Sequence, residues 1–258
     1  MKTALITGAT DGIGLEFAKI FAGHSCNLVL VARNEERLLQ IKQELSASGI
    51  TVDVFPKDLS VQENAEAIYL SLKERGIAVD FLINNAGFGI DAPYLDIAWE
   101  KEKMMLELNM VTVAYFTKMF GRDMKARGFG RILNVASIAA FQPGPYMAGY
   151  CATKAFILSL SEAVNYELKG SGVHVTALCP GVTDTQFHAV AKTEEVGMSR
   201  HLPHASAQEV AAYGYKLLSE GKAMGVYGWL NRLLVFSNRL VPRKVSTFLS
   251  ARLLKGDS

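Results

Sequence analysis

Short apolar runs at residues 3–7, 27–31, 51–55, 80–84, 131–136 and 173–179 alternate with longer segments whose apolar positions recur at helical spacing, at 13–22, 35–46, 62–75, 99–127 and 149–168. The run Leu28-Val29-Leu30-Val31 is apolar at every position, the pattern of a strand covered on both faces. Strands alternating with crossover helices predict an α/β fold, a doubly wound parallel sheet with helices on both sides. The same reading places another helix at 207–218 and a short strand near 224–227. Between them, 181–206 mixes polar and apolar residues without period and is read as a long loop with some helix, of a length that suits a lid.

Composition narrows this picture. With 258 residues, half of them apolar, the chain can bury one large core. The expected organisation is a domain over 1–228, including a substrate loop at 182–206, with an extension of the same domain over 229–258. No apolar run approaches the roughly 18 residues of a membrane span. Only Met1 and Lys2 precede the first apolar run, so a signal peptide is not expected and the default setting is cytoplasmic. Cys26, Cys151 and Cys179 sit in or beside apolar segments without pair spacing and read as small buried hydrophobes rather than disulfide or metal partners. His201 and His204 lack a carboxylate or cysteine at ligand spacing, so no metal site is expected.

Charge is unevenly placed. From Gly221 onward seven basic residues face the single acid Asp257, although the whole chain carries only +2. In that tail Trp229, Leu230, Leu233, Leu234, Phe236 and Leu240 alternate with basic residues, and the style repeats at Phe248, Leu249, Leu253 and Leu254 after Pro242. A helix packed on the domain or on a partner subunit fits this pattern. So does a basic amphipathic stretch on an anionic membrane surface or around an anionic substrate.

Candidate chemistry clusters where strands end. The first strand leads into Gly8-Ala9-Thr10-Asp11-Gly12-Ile13-Gly14 and then into a helix. Glycines there let the backbone approach a pyrophosphate, which the helix N-terminus favours. About 20 residues on, where an acid would bind the ribose hydroxyls of NAD, stand Ala32 and Arg33. Arg33 offers a fork suited to the extra phosphate of NADP, and from position alone it fits a solvated surface arginine equally well. Asp58-Leu59 follows the third strand and Asn84-Asn85-Ala86-Gly87 ends the fourth. Tyr150 and Lys154, four apart, share a helix face about one turn from each other, so the ammonium can stabilise a phenolate. Ser137 follows the fifth strand, Asn109 lies within the long helix, and Pro180-Gly181 with Thr183 and Thr185 follow the sixth strand.

Taken together and in this order, these motifs resemble the short-chain dehydrogenase/reductase family, near its ketoacyl and hydroxysteroid reductase members. The resemblance implies a Rossmann fold and a nicotinamide cofactor bound by Gly8, Thr10, Asp11, Gly12, Ile13, Gly14, Arg33, Asp58, Leu59, Asn85, Ala86, Gly87, Tyr150, Lys154, Pro180, Gly181, Thr183 and Thr185. It implies that Tyr150 is the acid or base on the substrate oxygen, that Ser137 holds that oxygen, that Lys154 lowers the tyrosine pKa and binds the nicotinamide ribose, and that Asn109 holds a relay water. NADP(H) is the expected cofactor, with NAD(H) second. Asp11 departs from NADP-preferring relatives that carry a basic residue in the glycine loop, which leaves the preference on Arg33. A small carbonyl or alcohol is the expected substrate and a homodimer or homotetramer the expected assembly, with no nucleic acid partner. An NAD-linked alcohol dehydrogenase and a non-catalytic NADP-binding redox sensor are the alternatives. Substrate choice is expected from 91–97, 139–146 and 186–204, where Phe88, Phe141, Tyr146, Met147 and Phe187 suggest an apolar pocket.

Overall fold

The computed structural model describes residues 1–47, 49–184 and 204–254. Its strands are β1 (Thr3–Thr7), β2 (Asn27–Ala32), β3 (Val52–Pro56), β4 (Phe81–Asn84), β5 (Gly130–Val135), β6 (Val173–Cys179), β7 (Thr183–Asp184), β8 (Ala205–Ser206) and β9 (Met224–Val226). The helices are α1 (Gly12–Gly23), α2 (Glu35–Ser46), α3 (Gln62–Glu74), α4 (Trp99–Leu106), α5 (Val113–Arg127), α6 (Ala148–Glu167), α7 (Ala207–Ser219), α8 (Trp229–Ser237) and α9 (Arg243–Leu254). Seven strands form one parallel sheet in the order β3-β2-β1-β4-β5-β6-β9. This is the expected doubly wound α/β fold, and strand boundaries agree with the apolar runs to within a residue or so.

Alternation within each strand sorts the core into two layers. Ala4, Ile6, Leu28 and Leu30 face α1, α2 and α7, where Phe17, Phe21, Leu38 and Val210 close over them. Leu5, Val29 and Val31 face α3 and α5, meeting Ile68, Leu72, Phe116 and Phe120. Each such fully buried side chain is worth about 1.5–3 kcal/mol of apolar transfer, which is why the central strands carry no polar face. Cys26, Cys151 and Cys179 are buried free thiols, as their apolar surroundings predicted.

Two features were not in the sequence reading, and a third bears on alternatives that it left open. The segment 99–127 is not one regular helix. A π-helical turn, Glu107–Thr112, separates α4 from α5 and contains Asn109, whose side chain accepts from the Phe88 amide at 3.2 Å and donates to the Phe88 carbonyl at 2.9 Å. One wider turn aims this amide inward at backbone that needs partners, a common use of π-turns near functional sites. The second feature is the pairing of β7 with β8, Thr183 with Ala205 and Asp184 with Ser206, which ties together the two described ends of the expected loop. A capping box between Ser206 and Glu209 then starts α7. Third, the tail is a helical pair that folds back on the domain: Asn238 donates to Gln142 at 2.9 Å and accepts from Ser246 of α9 at 2.9 Å.

The strand order reverses between β1 and β4, since β2 and β3 extend one way from β1 and β4 onward extend the other. In such sheets the crevice lies beyond the carboxyl ends of the strands at that switch point. The segments that follow β1 through β6 all open there, and they are the segments that carry the candidate motifs.

Candidate active site

A cavity of about 750 Å³ runs along this edge. Every site residue expected from the sequence and lying among the described residues lines it, except Gly14 and Asn109. Thr185 and most of the expected lid, including Phe187, lie outside the described residues.

At one end, β1 turns into α1 through Gly8 and Gly12, both in the left-handed region at φ 66° and 54°, which L side chains adopt only under strain. Gly14 does not face the cavity. A Cβ there would run into the Gly8 carbonyl and the Asn85 amide, so this glycine lets helix and loop close on each other. Asn85 reinforces the turn, donating to the carbonyls of Thr7 at 3.0 Å and Gly8 at 3.2 Å, while the Thr7 hydroxyl accepts from the Asn85 and Ala86 amides at 2.9 Å. Asp11 occupies the N-cap of α1 without a capping hydrogen bond from its side chain, and the first turn holds no acid. Asp11, Gly12 and Ile13 line the cavity, so the N-terminus of α1 opens on it, a place suited to a pyrophosphate.

Arg33 is exposed at the end of β2 and borders the same cavity. The parallel register Ala32 to Pro56 brings the next residues, Arg33 and Lys57, to neighbouring strand ends, and Lys57 also lines the cavity. Sequence reasoning missed Lys57, although a basic residue directly after the third strand was a readable signal. Asp58 folds its carboxylate into a local turn, accepting from the Ser60 amide at 2.9 Å and hydroxyl at 2.8 Å. Leu59 is buried, and its carbonyl accepts from Thr112 at 2.6 Å.

Ser137, Tyr150 and Lys154 converge at the other end. Ser137 caps the short helix after β5, accepting from the Ala139 amide at 3.1 Å, and its hydroxyl is hydrogen-bonded to Tyr150. Lys154 reaches under the tyrosine. Its Nζ lies 5.6 Å from the Tyr150 ring centre and donates to the Val135 carbonyl at 2.7 Å. Burial pushes the Tyr150 phenol above its ordinary value, and the Ser137 hydrogen bond pulls it partly back. Burial also lowers the Lys154 ammonium to about 8, with the nearby Cys179 acting in the opposite direction. Asn109 sits behind them, 1% exposed, and donates to the Thr153 hydroxyl at 3.2 Å. A Cβ at Gly87 would stand 3.0 Å from its Oδ1 and 3.7 Å from Lys154 Nζ, so Gly87 leaves room for both side chains.

Pro180, Gly181 and Thr183 complete the wall after β6, with the Pro180 carbonyl accepting from Ile138 at 2.9 Å and the Thr183 hydroxyl donating to the Gly181 carbonyl at 3.2 Å. Of the expected substrate loops, Asp91, Ala139, Gln142 and Gly144 reach the cavity, as does Phe88. Phe141 and Tyr146 instead pack, half-buried, against neighbouring apolar clusters. His204 pairs with Asp184 at 2.7 Å. The sequence reading did not anticipate the tail's part: Ser250, Leu253 and Leu254 of α9 line the cavity, and Leu254 packs with Ala139, Met147 and Cys151 beside Tyr150.

The short chain dehydrogenase family model matches residues 2–196. The chain belongs to that family. It is 31% identical over 184 residues to an oxidoreductase of Staphylococcus epidermidis, covering 71% of this chain and 79% of the relative. Among solved structures, a short-chain dehydrogenase from Sphingobium yanoikuyae in complex with NADPH superposes with a TM-score of 0.83 at 28% identity, covering 93% of this chain and 94% of that one. A 7β-hydroxysteroid dehydrogenase superposes with a TM-score of 0.87 at 26% identity over 96% of both chains. The short-chain dehydrogenase described here is thus an oxidoreductase by family.

Proposed function

We propose that this short-chain dehydrogenase reduces the carbonyl of a lipophilic ketone or aldehyde with NADPH and runs the alcohol oxidation in reverse. The observation that carries the reading is the convergence of Tyr150, Ser137 and Lys154 in the one cavity whose other end is a glycine-lined helix N-terminus.

The glycine turn and the amides of α1 would hold the pyrophosphate, and Arg33 with Lys57 would face the ribose phosphate that distinguishes NADP from NAD. When bound, the cofactor supplies the hydride. The protein supplies position and a proton. Ser137 spends one acceptor site on Ala139 and keeps its hydroxyl on the Tyr150 side, where a substrate oxygen would meet both groups. The buried phenol is held protonated, the state a general acid needs as negative charge develops on the carbonyl oxygen. Lys154, fixed by Val135, places positive charge beneath the ring that must become phenolate. Apolar walls from Met147, Leu253 and Leu254 favour a lipophilic substrate. A homodimeric or homotetrameric assembly in the cytoplasm belongs to the same reading and rests on family membership.

The test is a panel of aliphatic, cyclic and steroid-like ketones, with loss of reduced nicotinamide absorbance followed using NADPH and NADH at matched concentrations. Turnover with NADPH exceeding that with NADH by at least about tenfold is expected, since a bidentate phosphate contact is worth about 1.5–3 kcal/mol. NADH preference together with faster alcohol oxidation would establish the NAD-linked alternative. Tight NADPH binding without turnover of any carbonyl would establish the sensor.

A further inference from the structure

Helix α9 exposes the wrong stripe for a helix that only packs on its own domain. Its buried positions are Ser246, Ser250 and Leu254, while Val245, Phe248 and Leu249 point outward, Phe248 at 57% exposure. Helix α8 repeats the arrangement. Asn231 and Val235 are buried, and Trp229, Leu233 and Phe236 are outside, followed by Leu240, with Trp229 and Leu240 each 72% exposed. Single exposed apolar residues are ordinary, but two consecutive helices that each present an aromatic and leucine stripe call for a partner.

The rim of these stripes is cationic. Arg239, Arg243, Lys244 and Arg252 are exposed, and among the described residues none of them forms an ion pair. Arg252 lies over the Phe248 ring at 5.0 Å, so charge and apolar surface are interleaved. A second apolar group stands in the segment between Asp91 and Lys101, two residues that line the cavity: Leu95 is 92% exposed and Trp99, at the start of α4, is 61% exposed. Both tryptophans of the chain therefore lie in exposed apolar surface.

We propose that α8 and α9 form a docking surface for an anionic lipid bilayer. Aromatic and leucine side chains with interleaved Arg and Lys are what an interfacial helix needs, because the apolar stripe enters the acyl boundary while the cations meet lipid phosphate. Charge selects this occupant over a second copy of the chain, since an isologous contact would set the same unpaired cations against one another. Docking also has a consequence for the cavity. The inner face of α9 is its wall, so the bilayer would lie one helix away from the substrate site, and for a lipophilic carbonyl compound, a point that rests on the proposed reaction, this is a direct route of entry. Docking itself does not depend on that reaction.

The test uses the full chain and vesicles of phosphatidylcholine alone or mixed with phosphatidylglycerol. Cosedimentation with the mixed vesicles at low salt is expected, weakened at high salt, together with a blue shift of tryptophan emission that requires no substitution. Each basic residue near an anionic surface strengthens binding roughly fivefold, so Arg243→Glu with Lys244→Glu should weaken vesicle binding by at least about 25-fold. Phe248→Ser with Leu249→Ser should also weaken it, with melting temperature and molecular mass unchanged for both pairs. Absence of binding and of a blue shift with mixed vesicles would overturn the proposal. So would vesicle binding indifferent to both pairs of substitutions, or a loss of oligomer mass in the Phe248 and Leu249 variant, which would make this face a subunit contact.

Discussion

The two ends of the cavity are built from different kinds of sequence. At the glycine end, the cavity is lined by residues just after buried parallel strands: Gly8 after β1, Arg33 after β2, Lys57 and Asp58 after β3 and Asn85 after β4. The register of the sheet then fixes how those residues stand relative to one another, as the pairing of Ala32 with Pro56 does for Arg33 and Lys57. At the far end, the wall is assembled from α9, from the segment after β5 and from the loop after β4. Strand order carries the first half, and packing between elements distant in sequence carries the second.

This difference can be attacked from both sides. The largest effect is expected for Tyr150→Phe, which removes the proposed proton donor at the junction of the two halves. The kcat for ketone reduction should fall about a thousandfold, as loss of a general acid does, with the NADPH dissociation constant nearly unchanged. A near-normal rate would remove Tyr150 from the chemistry. Arg33→Ala tests the glycine half alone: NADPH binding measured by fluorescence should weaken about 10- to 100-fold and NADH binding hardly at all, and equal losses would show that Arg33 does not meet a phosphate. The pH profile tests Lys154. With its ammonium near 8, reductive kcat/KM should hold below that pH and fall up to about tenfold per unit above it, as the charge beneath Tyr150 is lost.

The substrate half is sharpened by Leu254→Ala. Removing apolar contact from the α9 wall should raise the KM of a lipophilic ketone several-fold to about tenfold and leave NADPH binding unchanged. A shift in cofactor affinity instead would mean that α9 is structurally continuous with the glycine half. The smallest effect concerns Glu102, 3% exposed beside Gly149, with its Oε2 lacking a hydrogen-bond partner among the described residues. Burial raises its pKa. A carboxyl whose pKa is raised on folding favours the fold below its unfolded pKa and costs stability as pH rises through the folded one. Glu102→Gln should therefore raise the melting temperature by about 2–4 °C near pH 8, and the gain should vanish in acid.

The sequence was legible in proportion to this same division. Alternating apolar runs disclosed the sheet, because a strand buried on both faces cannot hide its composition. Spacing alone made the glycines after the first strand and the Tyr150–Lys154 pair on one helix face visible as candidates, while Ser137, Asn85 and the NADP reading of Arg33 became legible only through the resemblance of the ordered set of motifs to a known family. Gly14 was legible as a glycine but not as a packing residue, since what it avoids, the Gly8 carbonyl and the Asn85 amide, lies across the fold. The π-turn at Asn109 escaped because a helical period tolerates one wide turn without a visible break. Helix α9 escaped as a cavity wall because its inward stripe is partly serine, so the apolar pattern pointed to the opposite face.

The most direct test of the account follows the hydride itself. NADPH deuterated at the transferable position, a lipophilic ketone and the wild-type chain are incubated together, and the product alcohol is examined by NMR and mass spectrometry. The account predicts one deuterium on the new carbinol carbon, in a single configuration, in step with cofactor consumed. An alcohol without deuterium, or cofactor consumption without alcohol, would contradict it.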